Sequence, residues 1–177
     1  MAEQNLVVDT CVAINLRASR RWRQILAAGG WLAVMPDIAF AEVLYIFDEE
    51  GERRPASLED QVSSGDVMRC TLSMDEIEVM ISLAADLGRG EAAAIAVATG
   101  RGLALATDDK AARRHQVVQA LPVLTTPKLL RQWADGDEVE EAEICQAIGL
   151  IESRANFRPR RNDSDFAWWD FYRPRSR

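Results

Sequence analysis

Lysine is almost absent from this chain: Lys110 and Lys128 are the only two, so nearly all positive charge is carried by arginine. Bases are also outnumbered by acids, giving a net charge of −7 and an isoelectric point near 4.8. That balance excludes a protein that grips nucleic acid through its overall charge. The cations gather locally instead, at 17–23, at 110–115 and from Arg154 onward. Arginine forks match phosphate oxygens, although each cluster also reads as a solvated helix face. Histidine occurs once, as His115, which is read as a surface or phosphate-side residue rather than a general base. Cysteine is scarce too. Cys11, Cys70 and Cys145 are odd in number and far apart in apolar contexts, which excludes a disulfide framework and a CxxC metal site and fits a reducing cytoplasm. No apolar run approaches the ~18 residues of a membrane span, and the N-terminus lacks a basic stretch followed by a long apolar core. A soluble, cytoplasmic protein with no membrane partner is expected.

What is present suffices for a core without staples. With 177 residues, 48% of them hydrophobic, one domain is expected, burying roughly 70% of the surface that the unfolded chain exposes. Strands are expected at 6–8, 31–35, 67–72, 102–107 and 122–126, with helical patterns between them and a last helix over 137–155. The helix opening at Pro36 and Asp37 is read as carrying "IAFAEVLYIF", with Glu42 near its start, and 49–57 as a polar connection. "SMDE" (73–76) matches the S-x-x-E capping box. Such alternation predicts an α/β, three-layer fold: a central, mostly parallel sheet of about five strands flanked by helices. Ligands of such sheets bind outside the carboxyl ends of the strands.

Acids collect at those ends. Asp9 closes the first strand, Asp108 and Asp109 close the strand at 102–107, Glu42 follows the second strand, and Glu91 opens the helix before 102–107. Singly, each has an ordinary role as a helix cap or a first-turn acid. Gathered on one rim, they repel one another unless protonated or neutralised. A hard divalent cation resolves the conflict, and it can activate water and stabilise charge on phosphoryl oxygens. Rival patterns fail on detail. "GRGEAA" (88–93) spells a dinucleotide fingerprint but follows a helical segment instead of a strand. "VVDTCV" lacks the second acid of the haloacid-dehalogenase phosphatases, which would fall at Cys11.

The segments "VVDTCVAINL", "IAFAEVLY" and "LGRGEAAAIAVATGRGLALATDDKAAR" together resemble the PIN-domain nucleases, and particularly their VapC-like toxin branch, over about residues 5–130. The third segment, long and ordered, is the most specific. The resemblance implies a PIN-like domain over 1–155 and Mg²⁺- or Mn²⁺-dependent endonucleolytic hydrolysis of RNA. It implies that Asp9, Glu42, Glu91 and one of Asp108 and Asp109 form the catalytic, metal-binding cluster, with Thr10, Asn15 and Thr107 supporting it. It further implies an RNA substrate, a cognate antitoxin protein and a homodimer. Related sequences often carry a second acid where this chain has Ala93. Neighbouring side chains of an extended strand face opposite ways, so one of Asp108 and Asp109 reaches a metal directly. A Thr-x-Asp reading favours Asp109; alignment of the first acid favours Asp108. Arg17, Arg20, Arg21, Lys110, Arg113 and Arg114 are candidates for RNA-backbone contact. The alternative is a non-catalytic RNA- or protein-binding relative that keeps the acidic pocket.

Residues 156–177 form a tail of arginines and aromatics, with Phe157, Phe166, Trp168, Trp169, Phe171 and Tyr172. Those rings are too many for a solvated extension. They call for a surface, on this domain, on a sister subunit, on an antitoxin or on RNA.

Overall fold

Alternation along the first strand sets the architecture. Leu6 and Val8 enter one apolar cluster while Val7 enters another, so both faces of this strand are covered. The structure, a computed structural model, describes residues 4–42, 44–119, 121–136 and 138–174, side chains of 115–119 excluded. The His115 side chain and the helix start read at Asp137 lie outside the described residues.

The strands are β1 (Gln4–Val8), β2 (Trp31–Pro36), β3 (Leu44–Phe47), β4 (Arg53–Ala56), β5 (Val67–Cys70), β6 (Ala104–Ala106) and β7 (Val123–Leu124). The helices are α1 (Thr10–Ser19), α2 (Trp22–Ala28), α3 (Asp37–Phe40), α4 (Glu59–Ser63), α5 (Met74–Leu83), α6 (Arg89–Arg101), α7 (Lys110–Gln119), α8 (Thr126–Ala134), α9 (Glu141–Leu150) and α10 (Phe166–Tyr172). Five strands form a wholly parallel sheet in the order β5-β2-β1-β6-β7. The chain builds outward from β1 to β5, then crosses back to begin again at β6. That reversal makes the β1/β6 boundary the topological switch point, where open α/β sheets bind ligands.

Helices cover both faces. Val12, Ala13 and Leu16 of α1, Ile25 of α2, Leu129 of α8 and Ile148 of α9 pack with Leu6 and Val8. On the other face α6 meets Val7 and Leu105 through Ala92, Ile95 and Val97. Every residue of α6 from Ala92 to Ala98 is buried, which explains a helix rich in alanine rather than amphipathic. The expected capping box is present: the Ser73 hydroxyl accepts from the Glu76 amide at 3.2 Å, and the Glu76 carboxylate accepts from the Ser73 amide at 2.7 Å.

One expectation is corrected. The helix read through "IAFAEVLYIF" stops at Phe40, and Leu44–Phe47 instead pairs antiparallel with Arg53–Ala56. Leu44 and Ile46 are buried while Tyr45 and Phe47 are half-exposed, a period of two that competes with the helical one. The polar stretch 49–57 supplies the return strand. The Asp48 carboxylate accepts from the Glu50 and Glu52 amides at 3.1 and 2.8 Å, and Gly51 takes the positive φ of 80° that the turn needs. Glu42 therefore follows a short helix instead of lying near the start of a long one.

The tail folds back onto its own domain. After α9 a π-helical turn over Ile151–Ala155 ends at Asn156 with φ 52°. Trp169 of α10 is fully buried in the cluster beneath α1 and α9, and its Nε1 donates to Glu152 at 3.0 Å. Phe157 meets it edge-on at 5.7 Å between ring centroids. No helix among the described residues is long and apolar enough to cross a membrane.

Candidate active site

Asp9 stands where β1 hands over to α1, at the switch point. Its amide donates to the Ala106 carbonyl at 3.0 Å, and its Oδ1 caps α1 by accepting from the Val12 amide at 2.8 Å. Among the described residues Oδ2 has no hydrogen-bond partner, though it is buried in a residue only 2% exposed. A buried carboxylate so placed resists ionisation. Burial, reinforced by Asp108 and Glu91, pushes Asp9 from its ordinary 3.8 up to about 8. The Thr107 hydroxyl and the Val12 amide oppose this without giving Oδ2 a full hydrogen bond.

Glu42 is clamped from two elements. Its Oε2 accepts from the Thr10 hydroxyl at 2.7 Å and its Oε1 from the Gly90 amide at 2.8 Å. Glycine at 90 leaves room for this arrangement, since a Cβ there would meet the Glu42 carboxylate and make it swing aside. The next residue, Glu91, is pushed from 4.5 up to about 7 by burial first and then by Asp109, with Glu42 adding and the Gly88 backbone opposing. Thus Glu91 faces Asp109 across the rim.

Asp108 and Asp109 part company as adjacent strand-end residues should. Asp108 turns toward α8. Its Oδ1 accepts from the Thr126 amide at 2.9 Å, and its Oδ2 accepts from the Thr126 hydroxyl and, at 2.9 Å, from Asn15 Nδ2. Asn15 also donates to the Thr126 hydroxyl at 3.1 Å. Burial still raises the Asp108 pKa. Asp109 caps α7 through Oδ1, accepting from the Ala111 and Ala112 amides, and its own amide donates to the Thr107 hydroxyl. Two contributors escaped the sequence reading. Thr126 is one, although "TTP" is a helix-start signal; Gly90 is the other, noticed only within "GRGEAA".

Cys11 registers the field of this cluster. Desolvation first, then Asp9, Asp108, Glu91 and Asp109, push its thiol up to about 12. Among the described residues, none of the five carboxylates has a lysine or arginine nitrogen within 4.0 Å. No three Asp, Glu, His or Cys side chains among those residues already stand close enough to hold an ion. The donor chemistry nevertheless fits a hard divalent cation. All donors are oxygens, Asp9 Oδ2 has no partner, and Glu91 and Asp109 press on one another.

The basic candidates separate. Lys110 and Arg113 line a cavity of about 280 Å³ with Cys11, Asp108 and Asp109, while Arg114 lies just beyond on α7. Arg17, Arg20 and Arg21 sit at the other end of α1, about 15 Å away along a ten-residue helix. Arg20 and Arg21 are paired there with Glu49 and Glu143 at 3.9 and 2.8 Å, and Arg17 donates to the Ser57 carbonyl at 3.5 Å. Compared with protein-family models, with curated proteins and with solved structures, the chain matches none.

Proposed function

We propose that this protein is a divalent-metal-dependent endoribonuclease of PIN type that hydrolyses RNA phosphodiester bonds. The observation that carries the reading is the buried, unpartnered Oδ2 of Asp9 at the β1/β6 switch point, with Asp108 and Glu91 near enough to raise its pKa and Asp109 facing Glu91. Asp9, Glu91, Asp109 and Glu42 would hold Mg²⁺ or Mn²⁺, which when bound supplies Lewis-acid activation and neutralises charge on the phosphoryl oxygens. The remaining residues position these. Thr10 and the Gly90 amide fix Glu42. Asn15 and Thr126 hold Asp108, which locks the end of β6 and so aims Asp109 at Glu91. Lys110 and Arg113 at the mouth offset the repulsion between a phosphate backbone and the acids.

A labelled single-stranded RNA incubated with Mg²⁺, with Mn²⁺ or with EDTA tests this, using wild type beside an equally purified Glu91→Gln variant. Metal-dependent cleavage by wild type alone is expected. Cleavage in EDTA, or equal cleavage by the variant, would overturn the reading. RNA retained on the protein but never cut would assign the chain to the non-catalytic binding modules.

A further inference from the structure

A larger cavity of about 710 Å³ opens beside the acidic rim. Its walls carry Lys110, Arg113 and Arg114 of α7, Lys128 of α8, and Arg160 with Asp163 from the chain beyond α9. Among the described residues Asp163 is the sole acid in that lining, and it lies 3.5 Å from Arg113. Among the described residues Lys110, Arg114, Lys128 and Arg160 have no carboxylate within 4.0 Å. Such a concentration runs against a net charge of −7. Cations held together without counterions repel one another, and a polyanion neutralises several at once.

The two cavities adjoin, sharing Lys110, Arg113, Arg160 and Asp163 with the Arg113–Asp163 pair common to both linings, and the smaller end of this trough reaches Asp108 and Asp109. Its outer wall is anchored. Pro159 is buried, the Asp163 amide closes a turn on the Arg160 carbonyl at 2.9 Å, buried Asp165 accepts from Arg131 at 3.2 Å, and Trp169 is sunk in the core. Arg160 is therefore presented by a fixed turn. Phe157, half-buried and edge-on to Trp169, lines the rim end, so the exposed part of its ring would be met by an unpaired base, which a duplex cannot supply.

We propose that segment 157–164 is the second wall of a groove that leads a single-stranded RNA backbone to the acidic rim, with Arg160 and Lys128 as phosphate contacts. The choice of RNA as the polyanion rests on the nuclease reading; the groove itself rests on the placement of these cations. Binding of a labelled oligouridylate, followed by fluorescence anisotropy in EDTA across a salt series, tests it without requiring cleavage. The Arg160→Ala/Lys128→Ala double variant should bind at least tenfold more weakly. The slope of log affinity against log salt should fall by about 1.4, from two contacts at about 0.7 each. Arg23→Ala, which removes a cation paired with Asp66 elsewhere on the surface, should leave both unchanged. If the double variant melts lower than wild type, Arg160→Lys decides, since it must keep the slope that Arg160→Ala loses. Wild-type affinity and slope in the double variant would overturn the groove even if the wild type cleaves RNA. Tight, salt-dependent binding with no cleavage in metal would remove the nuclease reading and leave the groove standing. Equal affinity for a duplex of the same length would overturn the single-strand assignment. Binding of poly-glutamate but not of RNA would give the trough to an acidic protein segment.

Discussion

Replacing Asp9 by Asn should stabilise the metal-free protein at neutral pH while abolishing its response to Mg²⁺. Asparagine keeps an oxygen for the Val12 amide, so the α1 cap survives, but it removes the charge that burial and the neighbouring acids oppose. The native carboxyl is displaced from 3.8 to about 8. At about 1.36 kcal/mol for each pH unit, that corresponds to a difference on the order of 5 kcal/mol between pH 4 and pH 8. The sign follows from proton counts. Between those limits the native state holds a proton that the unfolded chain has released, so stability falls as pH rises. It is fully present below about pH 4 and is lost by about pH 8. Glu91, raised from 4.5 to about 7, acts in the same direction over a narrower window. Urea denaturation in EDTA at several pH values should show the variant and wild type nearly equal at pH 4, then diverging in favour of the variant. Saturating Mg²⁺ should reverse the order, because a ligand that binds only the native state stabilises it. Parallel pH profiles, or equal Mg²⁺ stabilisation of both proteins, would refute the assignment of Asp9 as a buried, unpartnered acid of the metal site.

Gly90→Ala tests the clamp on Glu42. Gly90 lies in the first turn of α6, and an added Cβ there meets the end of the Glu42 side chain, which must swing out of its clamp, so a loss of about 1 kcal/mol, the size of one hydrogen bond, and a weaker Mg²⁺-induced shift in melting are expected. A variant more stable than wild type would show that Glu42 does not pack there. Trp169→Ala removes a fully buried ring and its hydrogen bond to Glu152, at a cost of about 3–5 kcal/mol by urea denaturation. An unchanged midpoint would mean that α10 is not part of the core.

Much of the architecture was legible because it follows from local periodicity. The run Leu6–Val8 ending in Asp9, the Ser73–Glu76 capping box and the alanine-rich stretch after Glu91 each carry their conformation in a few adjacent residues. Once strands and helices alternate, a parallel sheet puts the carboxyl ends of its inner strands on one rim, which is why Asp9, Asp108 and Asp109 were placed together. Contacts between distant segments decided the rest. "IAFAEVLYIF" satisfies a helical period and a strand period, and only pairing with Arg53–Ala56 selects the strand for Leu44–Phe47. The division of labour between Asp108 and Asp109 depends on Asn15, 93 residues away from Asp108, and on Thr126, 18 residues away. Whether an aromatic tail sits in water, on a partner or in the core depends on the space left against α9 and the turn after it, which Trp169 fills. No local pattern encodes that space, because it exists only after the helices have packed.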